Sequence, residues 1–214
     1  MKEFIYLIFL SLTMASCIKP SPKLPSAAQV DSLRESSLTK DEIKYPDSVF
    51  NKSFQLRSGE RFLRLEVVLN ASLDSVWHSF STEEGIKTWM APVSQVDFKI
   101  GGEMKNHMNY KKKIGDPGTL TLGVINFIPN EIVTVHLDKY FGERPAIEDM
   151  NWQEVVQIIP ISKYKTIIVS TMVGWGIGPD WDKAYSFFER GNKWYFNVMQ
   201  KGFKTGPIYW PNDP

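Results

Sequence analysis

Apolar and charged residues alternate through the first half of Arg61–Leu69, and this period of two predicts a half-exposed β-strand. Ser72 follows a short break and suits a helix N-cap, because its hydroxyl can accept a hydrogen bond from the first turn. A second short helix is expected to end near Met90, since Pro92 cannot continue it. The pattern therefore predicts one strand followed by two short helices, the first with apolar residues at helical spacing: Leu73, Val76, Trp77 and Phe80.

The next part of the chain consists of apolar-rich stretches that are separated by turn residues. An Asp-Pro-Gly sequence at residues 116–118 is a strong turn signal, and Phe141–Asn151 is a loop rich in glycine, proline and acidic residues. Successive strands joined by short turns predict an antiparallel meander. The predicted strands are Gln95–Ile100, Glu103–Tyr110, Thr119–Ile128, Glu131–Lys139, Trp152–Ile161 and Thr166–Trp175.

A long amphipathic segment, Asp180–Lys204, closes the pattern and predicts a helix that Gly206 ends. Gly191 falls on its apolar stripe, where glycine costs about 1 kcal/mol relative to alanine. This glycine predicts either close approach of a strand or a kink. The other stripe positions are Trp181, Tyr185, Phe188, Tyr195, Val198 and Met199.

The order of elements predicts an α+β fold. A curved antiparallel sheet of about six to seven strands wraps around the long C-terminal helix, and the two short helices after the first strand fill one end. Such a helix buries its apolar stripe against the concave face of the sheet. We expect the space between sheet and helix to form a cavity.

The N-terminus carries the pattern of a secretory signal. A lysine at position 2 precedes the apolar run Phe4–Met14 and the small residues Ala15 and Ser16. The run is too short for a membrane-spanning helix. Residues 14–17 resemble a bacterial lipobox, and this resemblance implies that Cys17 is lipidated and becomes the first residue of the mature chain. Cys17 is the only cysteine, so no internal disulfide is possible.

These features divide the chain into four parts. Residues 1–17 are predicted to be a lipoprotein signal peptide, and residues 18–58, which begin with a proline- and serine-rich stretch, a flexible tether. Residues 59–206 form the folded domain, and residues 207–214 a C-terminal tail. We expect the protein to be held in the cell envelope by its lipid, on the periplasmic side or at the outer membrane.

Composition and motifs exclude several classes of function. The formal net charge is +1, whereas nucleic-acid-binding domains carry a basic face or stripe. His78, His107 and His136 fall in different elements with no second ligand at metal spacing. A nucleophile elbow and a phosphate-binding glycine loop are both missing. We therefore expect no nucleic-acid partner, metal or cofactor, and assign no catalytic residue.

Several stretches resemble the helix-grip, START-like (SRPBCC) superfamily. Ala71–Trp77, Phe80–Pro92 and Val96–Gly102 are similar to its activator-of-heat-shock-ATPase-like branch, and Gly174–Gly176 with Asp180–Phe188 resembles the closing helix of that branch. The resemblance implies a helix-grip fold with a hydrophobic pocket. It does not fix a function, because the superfamily includes lipid carriers, aromatase/cyclases, hormone receptors and co-chaperones. The signal segment argues against a cytosolic chaperone partner.

Aromatic residues make up 13 % of the chain, and a helix-grip arrangement would bring many of them near the pocket. The hypothesis for the site is a small apolar or amphipathic ligand held among these side chains and a few polar ones. The candidate residues are Trp89, Phe98, His107, Tyr110, His136, Trp152, Trp175, Trp181, Tyr185 and Phe188.

Two alternatives stay open. The pocket could serve an enzyme of the cyclase, dehydratase or hydrolase type, with His107 or His136 as general base, since histidine titrates near neutral pH. Alternatively, the domain binds another protein and its cavity is vestigial, which predicts a collapsed core and an exposed apolar patch.

Overall fold

The computed structural model describes residues 36–44, 48–140, 153–207 and 210. In these residues the helices are α1 (Lys40–Lys44), α2 (Leu73–Ser81), α3 (Glu83–Lys87) and α4 (Pro179–Thr205). The first strands are β1 (Val49–Asn51), β2 (Phe54–Gln55), β3 (Arg61–Leu69), β4 (Val93–Val96) and β5 (Glu103–His107). The remaining strands are β6 (Leu120–Ile128), β7 (Ile132–Tyr140), β8 (Gln153–Ser162) and β9 (Lys165–Val173).

The strands form one antiparallel sheet in the order β1-β3-β9-β8-β7-β6-β5-β4, with β2 paired to β3 beside this path. The meander from β4 to β9 and the α+β helix-grip architecture are confirmed. The described residues contain nine strands rather than the predicted six to seven. Within the part of the chain that the structure describes, no helix is both long and apolar enough to cross a membrane.

The two additional strands, β1 and β2, lie inside the predicted tether. Val49 is buried and pairs with Val67, and Phe54 stacks on Phe62 with ring centroids 4.6 Å apart. Strands of two or three residues leave no measurable period in a sequence, so the pattern missed them. The ordered domain thus begins before residue 58, and residues 18–35 of the predicted tether lie outside the described residues.

The outer face of β3 is covered as well as its inner face, so the prediction of a half-exposed strand is wrong. Residues 63–69 are all buried, including the ion pair between Arg64 and Glu66. Ser36 donates to the Glu66 carboxylate at 2.6 Å, Ser37 donates from its hydroxyl at 2.8 Å, and Arg64 Nε donates at 2.8 Å. Charged residues fit the buried strand because the N-terminal segment supplies these partners.

Helix α4 lies along β3, and polar contacts fix its position there. The Tyr185 hydroxyl donates to the Phe62 carbonyl at 3.2 Å, and Gln200 Nε2 donates to the Val68 carbonyl at 2.9 Å. Its bounds extend one residue beyond the predicted Asp180–Lys204 at each end. Gly206, with φ of 98°, ends the helix as predicted.

The two predicted short helices are present and capped as expected. The Ser72 side chain accepts from the Ser75 N–H at 3.2 Å, and the Thr82 side chain accepts from the Gly85 N–H at 3.0 Å. A Cβ at Gly85 would lie 2.1 Å from the His78 carbonyl oxygen. Glycine therefore allows α3 to fold back tightly against α2, and together they close one end of the sheet.

We expect Glu66→Gln to lower the free energy of unfolding by about 3 kcal/mol, because it removes one charge of the buried ion pair with Arg64. Burial raises the pKa of Glu66, but hydrogen bonds from Ser36, Arg64 and Ser37 outweigh this effect and hold the pKa below its ordinary value. Stability from this carboxylate is therefore present above the unfolded-state pKa and lost as pH falls through the folded-state pKa.

Urea unfolding at several pH values measures both effects. Glu83→Gln is the matched control, because Glu83 pairs with Lys87 on an exposed helix surface. We expect this control to change stability by less than about 1 kcal/mol. Equal losses in the two variants would contradict the role assigned to the buried pair.

Candidate functional site

A cavity of about 570 Å³ lies between the inner face of strands β5–β9, the α2–α3 end of the domain and helix α4. It exists because the backbone of α4 lies against β3 and β1, at one side of the sheet. The helix therefore does not cover the inner faces of the strands farther along the sheet, from β8 to β5. Every second residue of β7 lines this space, namely Val133, Val135 and Leu137.

Gly191, in the middle of α4, borders the cavity. A Cβ placed on this residue would meet no atom within 4 Å, and α4 runs through it as an unbroken helix. The predicted close approach of a strand is not found at this position. The glycine instead leaves volume to the cavity.

The cavity opens to solvent between α4 and the residues that follow β5. Three apolar residues lining this opening are substantially exposed, Met108 by 46 %, Phe187 by 37 % and Trp194 by 48 %. The Tyr195 hydroxyl lies 3.5 Å from the Met108 sulfur and links the two sides. Arg190 is also exposed at this rim. A ligand could therefore enter past an apolar rim that carries one cation.

Glu154 is the acid in this apolar wall. It lies on β8, opposite Met172 on one neighbouring strand and Val135 on the other, and all three side chains line the cavity. The Ser170 hydroxyl donates to Glu154 Oε1 at 2.6 Å. Burial among apolar groups raises the pKa of Glu154, and the hydrogen bond from Ser170 offsets only part of this rise. The site thus favours a neutral carboxylic acid, which can donate a hydrogen bond.

Of the aromatic candidates, Trp89 and Phe188 line the cavity. Phe98 lies elsewhere, because β4 ends at Val96, and its ring packs on Trp77 and Phe127 at centroid distances of 5.6 and 4.8 Å. Trp152 lies outside the described residues. Three further candidates form a separate aromatic cluster at the start of α4, where they fix the helix rather than border the cavity: Trp175, Trp181 and Tyr185.

The polar candidates also lie away from the cavity. His107, at the end of β5, is buried: its Nδ1 accepts from the Asn109 N–H at 3.0 Å, and its Nε2 lies 3.1 Å from the Pro117 carbonyl oxygen. These two contacts hold the loop after β5 together. His136 alternates with two cavity-lining residues of β7 and so lies on the outer face. Tyr110 lies in the turn after β5, with Lys111 Nζ 5.4 Å from its ring centroid.

The sequence pattern missed the methionines and the acid of the cavity. Met90, Met104, Met108 and Met172 line it, and methionine carries no period signal that separates a cavity wall from a filled core. Glu154 did have a signal, since it is in phase with the buried Val156 and Ile158 along one strand. A charged residue in phase with buried apolar neighbours indicates a functional or paired group.

In the described residues, no group of three or more histidine, cysteine, aspartate or glutamate side chains is placed to hold a metal ion. Among the described residues that line the cavity, the charged groups are Glu154 and Arg190, and the other polar side chains include Asn192 and Tyr195. Asn192 Nδ2 donates to the Met172 sulfur at 3.1 Å. This arrangement suits binding of an apolar body with one or two polar groups.

No family model matches the chain, and no curated protein matches it in sequence. Solved structures do share its fold. The Aha1 dimer from Colwellia psychrerythraea is 15 % identical, with 68 % of this chain and 97 % of that chain covered and a TM-score of 0.55. A structural-genomics protein from Mesorhizobium loti is 14 % identical, with 69 % and 100 % covered and a TM-score of 0.54.

CalU16 from Micromonospora echinospora is also similar, at 12 % identity, with 76 % of this chain and 86 % of that chain covered and a TM-score of 0.51. At such identities the likeness shows the fold alone. The chain thus shares its fold with the Aha1 protein, which agrees with the fold that the resemblance in the sequence implied.

We expect Glu154→Gln to stabilise the protein relative to the parent at alkaline pH, because the amide carries no charge that the apolar site must bury. The folded state raises the pKa of Glu154. Stability from this group is therefore fully present below the unfolded-state pKa and declines as pH rises through the folded-state pKa.

Thermal or urea unfolding from pH 4 to pH 9 tests this expectation, with the exposed Glu84→Gln as the control on α3. The difference between Glu154→Gln and the parent protein should grow with pH and then level off. A constant difference across this range would show that ionisation of Glu154 does not oppose folding.

Proposed function

We propose that this protein binds a small apolar or amphipathic molecule in the cavity under α4, and that a lipid on Cys17 holds it in the cell envelope. The observation that carries the proposal is the cavity of about 570 Å³ with its apolar walls and one acid. Protein interiors are close-packed and leave few voids larger than a water molecule. Ligand sites commonly have volumes of about 300–1,000 Å³.

The two alternative functions receive less support from the geometry. A vestigial cavity predicts a collapsed core, whereas an open volume of about 570 Å³ remains beside α4. The enzyme hypothesis relied on His107 or His136 as a general base within reach of the ligand. His107 holds the loop after β5 through both ring nitrogens, and His136 lies on the outer face of β7. Binding is therefore the function that we propose.

Gly191 offers a direct test, because its missing side chain leaves volume to the cavity. We expect Gly191→Phe to weaken binding of the fluorescent apolar probe N-phenyl-1-naphthylamine at least tenfold, since the new ring occupies the site. The fold should not lose stability, because phenylalanine is a better helix former than glycine. Probe fluorescence measures binding to the purified full-length chain, and native mass spectrometry detects any ligand that co-purifies.

Gly191→Ala and Gly202→Ala are matched controls on the same helix. A Cβ at Gly202 would lie 3.8 Å from the Thr88 carbonyl oxygen, an ordinary contact away from the cavity. Both alanine variants should bind the probe nearly as well as the parent protein and unfold at slightly higher urea concentration. Probe binding that survives Gly191→Phe, or that is lacking in the parent protein, would contradict a ligand site in this cavity.

The lipid anchor has its own test. Cys17 follows residues that resemble a lipobox, so cells grown with labelled palmitate should incorporate label into the parent chain but not into Cys17→Ser. A second variant, Cys17→Ser with Ser26→Cys, keeps one cysteine near the same end and should also stay unlabelled. Label in either variant would show that the motif does not direct lipidation.

A further inference from the structure

The chemistry of the ligand follows from the position of Glu154 in the cavity wall. The neighbours of Glu154 on the inner face of the sheet are Val135, Val156 and Met172, all apolar. Ser170 reaches the carboxyl group from β9 and donates to Oε1. Among the described residues, this is the one hydrogen bond that the carboxyl group of Glu154 makes. A carboxyl group that borders a cavity with a single partner has capacity for a second one.

The groups that face Glu154 from the other elements favour the neutral form of its carboxyl group. Residues of β5, β6 and β7 that line the cavity are apolar, as are those of α2 and α3. Helix α4 contributes the exposed Arg190 at the rim, the amide of Asn192 and the phenol of Tyr195. Burial raises the pKa of Glu154. When Oε1 accepts from Ser170, the acid proton resides on Oε2, which can then donate to a ligand atom.

We propose that the cavity selects an uncharged amphipathic molecule whose apolar body carries a hydrogen-bond acceptor oxygen, such as a ketone or ester carbonyl, and that this oxygen accepts from the carboxylic acid of Glu154. This inference rests on the proposed binding function. An unpaired acceptor in an apolar cavity is costly, so one well-placed donor discriminates between ligands of equal size and different polarity.

Charged ligands fit the same wall less well. A fatty-acid carboxylate beside Glu154 would place two acids together in an apolar environment, which disfavours ionisation of either. An ammonium group would require Glu154 to ionise and would bury a desolvated ion pair, whose desolvation cost can exceed its attraction. The cationic Arg190 at the rim also repels an entering ammonium group.

Binding of such a ligand depends on pH with a defined sign. The protonated acid donates to the carbonyl oxygen, whereas the carboxylate cannot donate and repels it. Affinity for the carbonyl compound is therefore highest below the pKa of Glu154 and falls as pH rises through it. An alkane of the same length makes no such contact, so the ratio of the two affinities at each pH reports the hydrogen bond.

The test compares undecanone, undecane and undecylamine as competitors of N-phenyl-1-naphthylamine on the full-length chain between pH 5 and pH 10. At pH 5 the ketone should compete about fivefold better than the alkane, the value of one net hydrogen bond. This advantage should disappear at a pH that matches the titration of the Glu154 carboxyl carbon in ¹³C NMR. The amine should compete no better than the alkane at any pH.

Substitutions distinguish the contribution of the hydrogen bond to affinity from that of the shape of the cavity. Glu154→Gln keeps a donor at every pH, so the ketone advantage should persist without pH dependence. Glu154→Leu removes the donor and should abolish the advantage throughout, while the exposed Glu84→Gln should behave as the parent protein. Probe binding without any preference for the ketone, or a preference for the amine, would overturn this inference and leave the proposed function intact. Failure of the parent protein to bind the probe would overturn both.

Discussion

The attachment of α4 to β3 is the constraint on which the rest of the structure depends. Tyr185 and Gln200 each donate to a carbonyl of β3, and Arg61 Nη2 donates to the Gly176 carbonyl at 2.7 Å just before the helix. These contacts hold a helix of 27 residues over one side of the sheet. The sheet continues from β9 to β4 around the other side of the helix, where only side chains can meet. A cavity beside α4 is therefore a consequence of where the helix is fixed.

The same strand organises the opposite surface of the sheet. Without the N-terminal segment, the outward-facing residues of β3 and β9 would expose an apolar surface and the Arg64–Glu66 ion pair to water. Leu38 and Ile43 instead pack on Val68, Ile167 and Val169, while the serines of the segment bind Glu66. Because β3 is covered on both faces, it resembles a central strand of a two-sided sheet, although its sheet is antiparallel throughout. Contacts on the outer face hold β3 in place, so the inner face of the sheet can border a binding site.

The sequence predicted correctly those features that depend only on neighbouring residues, such as the ends of helices. Ser72 marks a helix start through its hydroxyl, and Gly206 marks a helix end through its positive φ. The long helix differed from its predicted bounds by one residue at each end. Burial on the outer face of β3 could not be predicted, because it depends on a segment 29–30 residues away in sequence. Aromatic residues were a partial guide to the cavity: Trp89 and Phe188 line it, whereas Trp175 and its neighbours pack at the start of α4.

Binding of a ligand carries an entropic cost, because it orders methionine side chains of the cavity wall. Four methionines line the cavity: Met90, Met104, Met108 and Met172. Each is unbranched with several rotatable bonds, so the wall can adapt its outline to molecules of different shape. Ordering a side chain of this kind costs about 0.5–1.5 kcal/mol, and the cost recurs for each methionine that a ligand immobilises. A larger occupant gains more buried apolar area but also orders more of the wall. The two effects oppose each other, so affinity rises less steeply with ligand size than the buried apolar area alone would give.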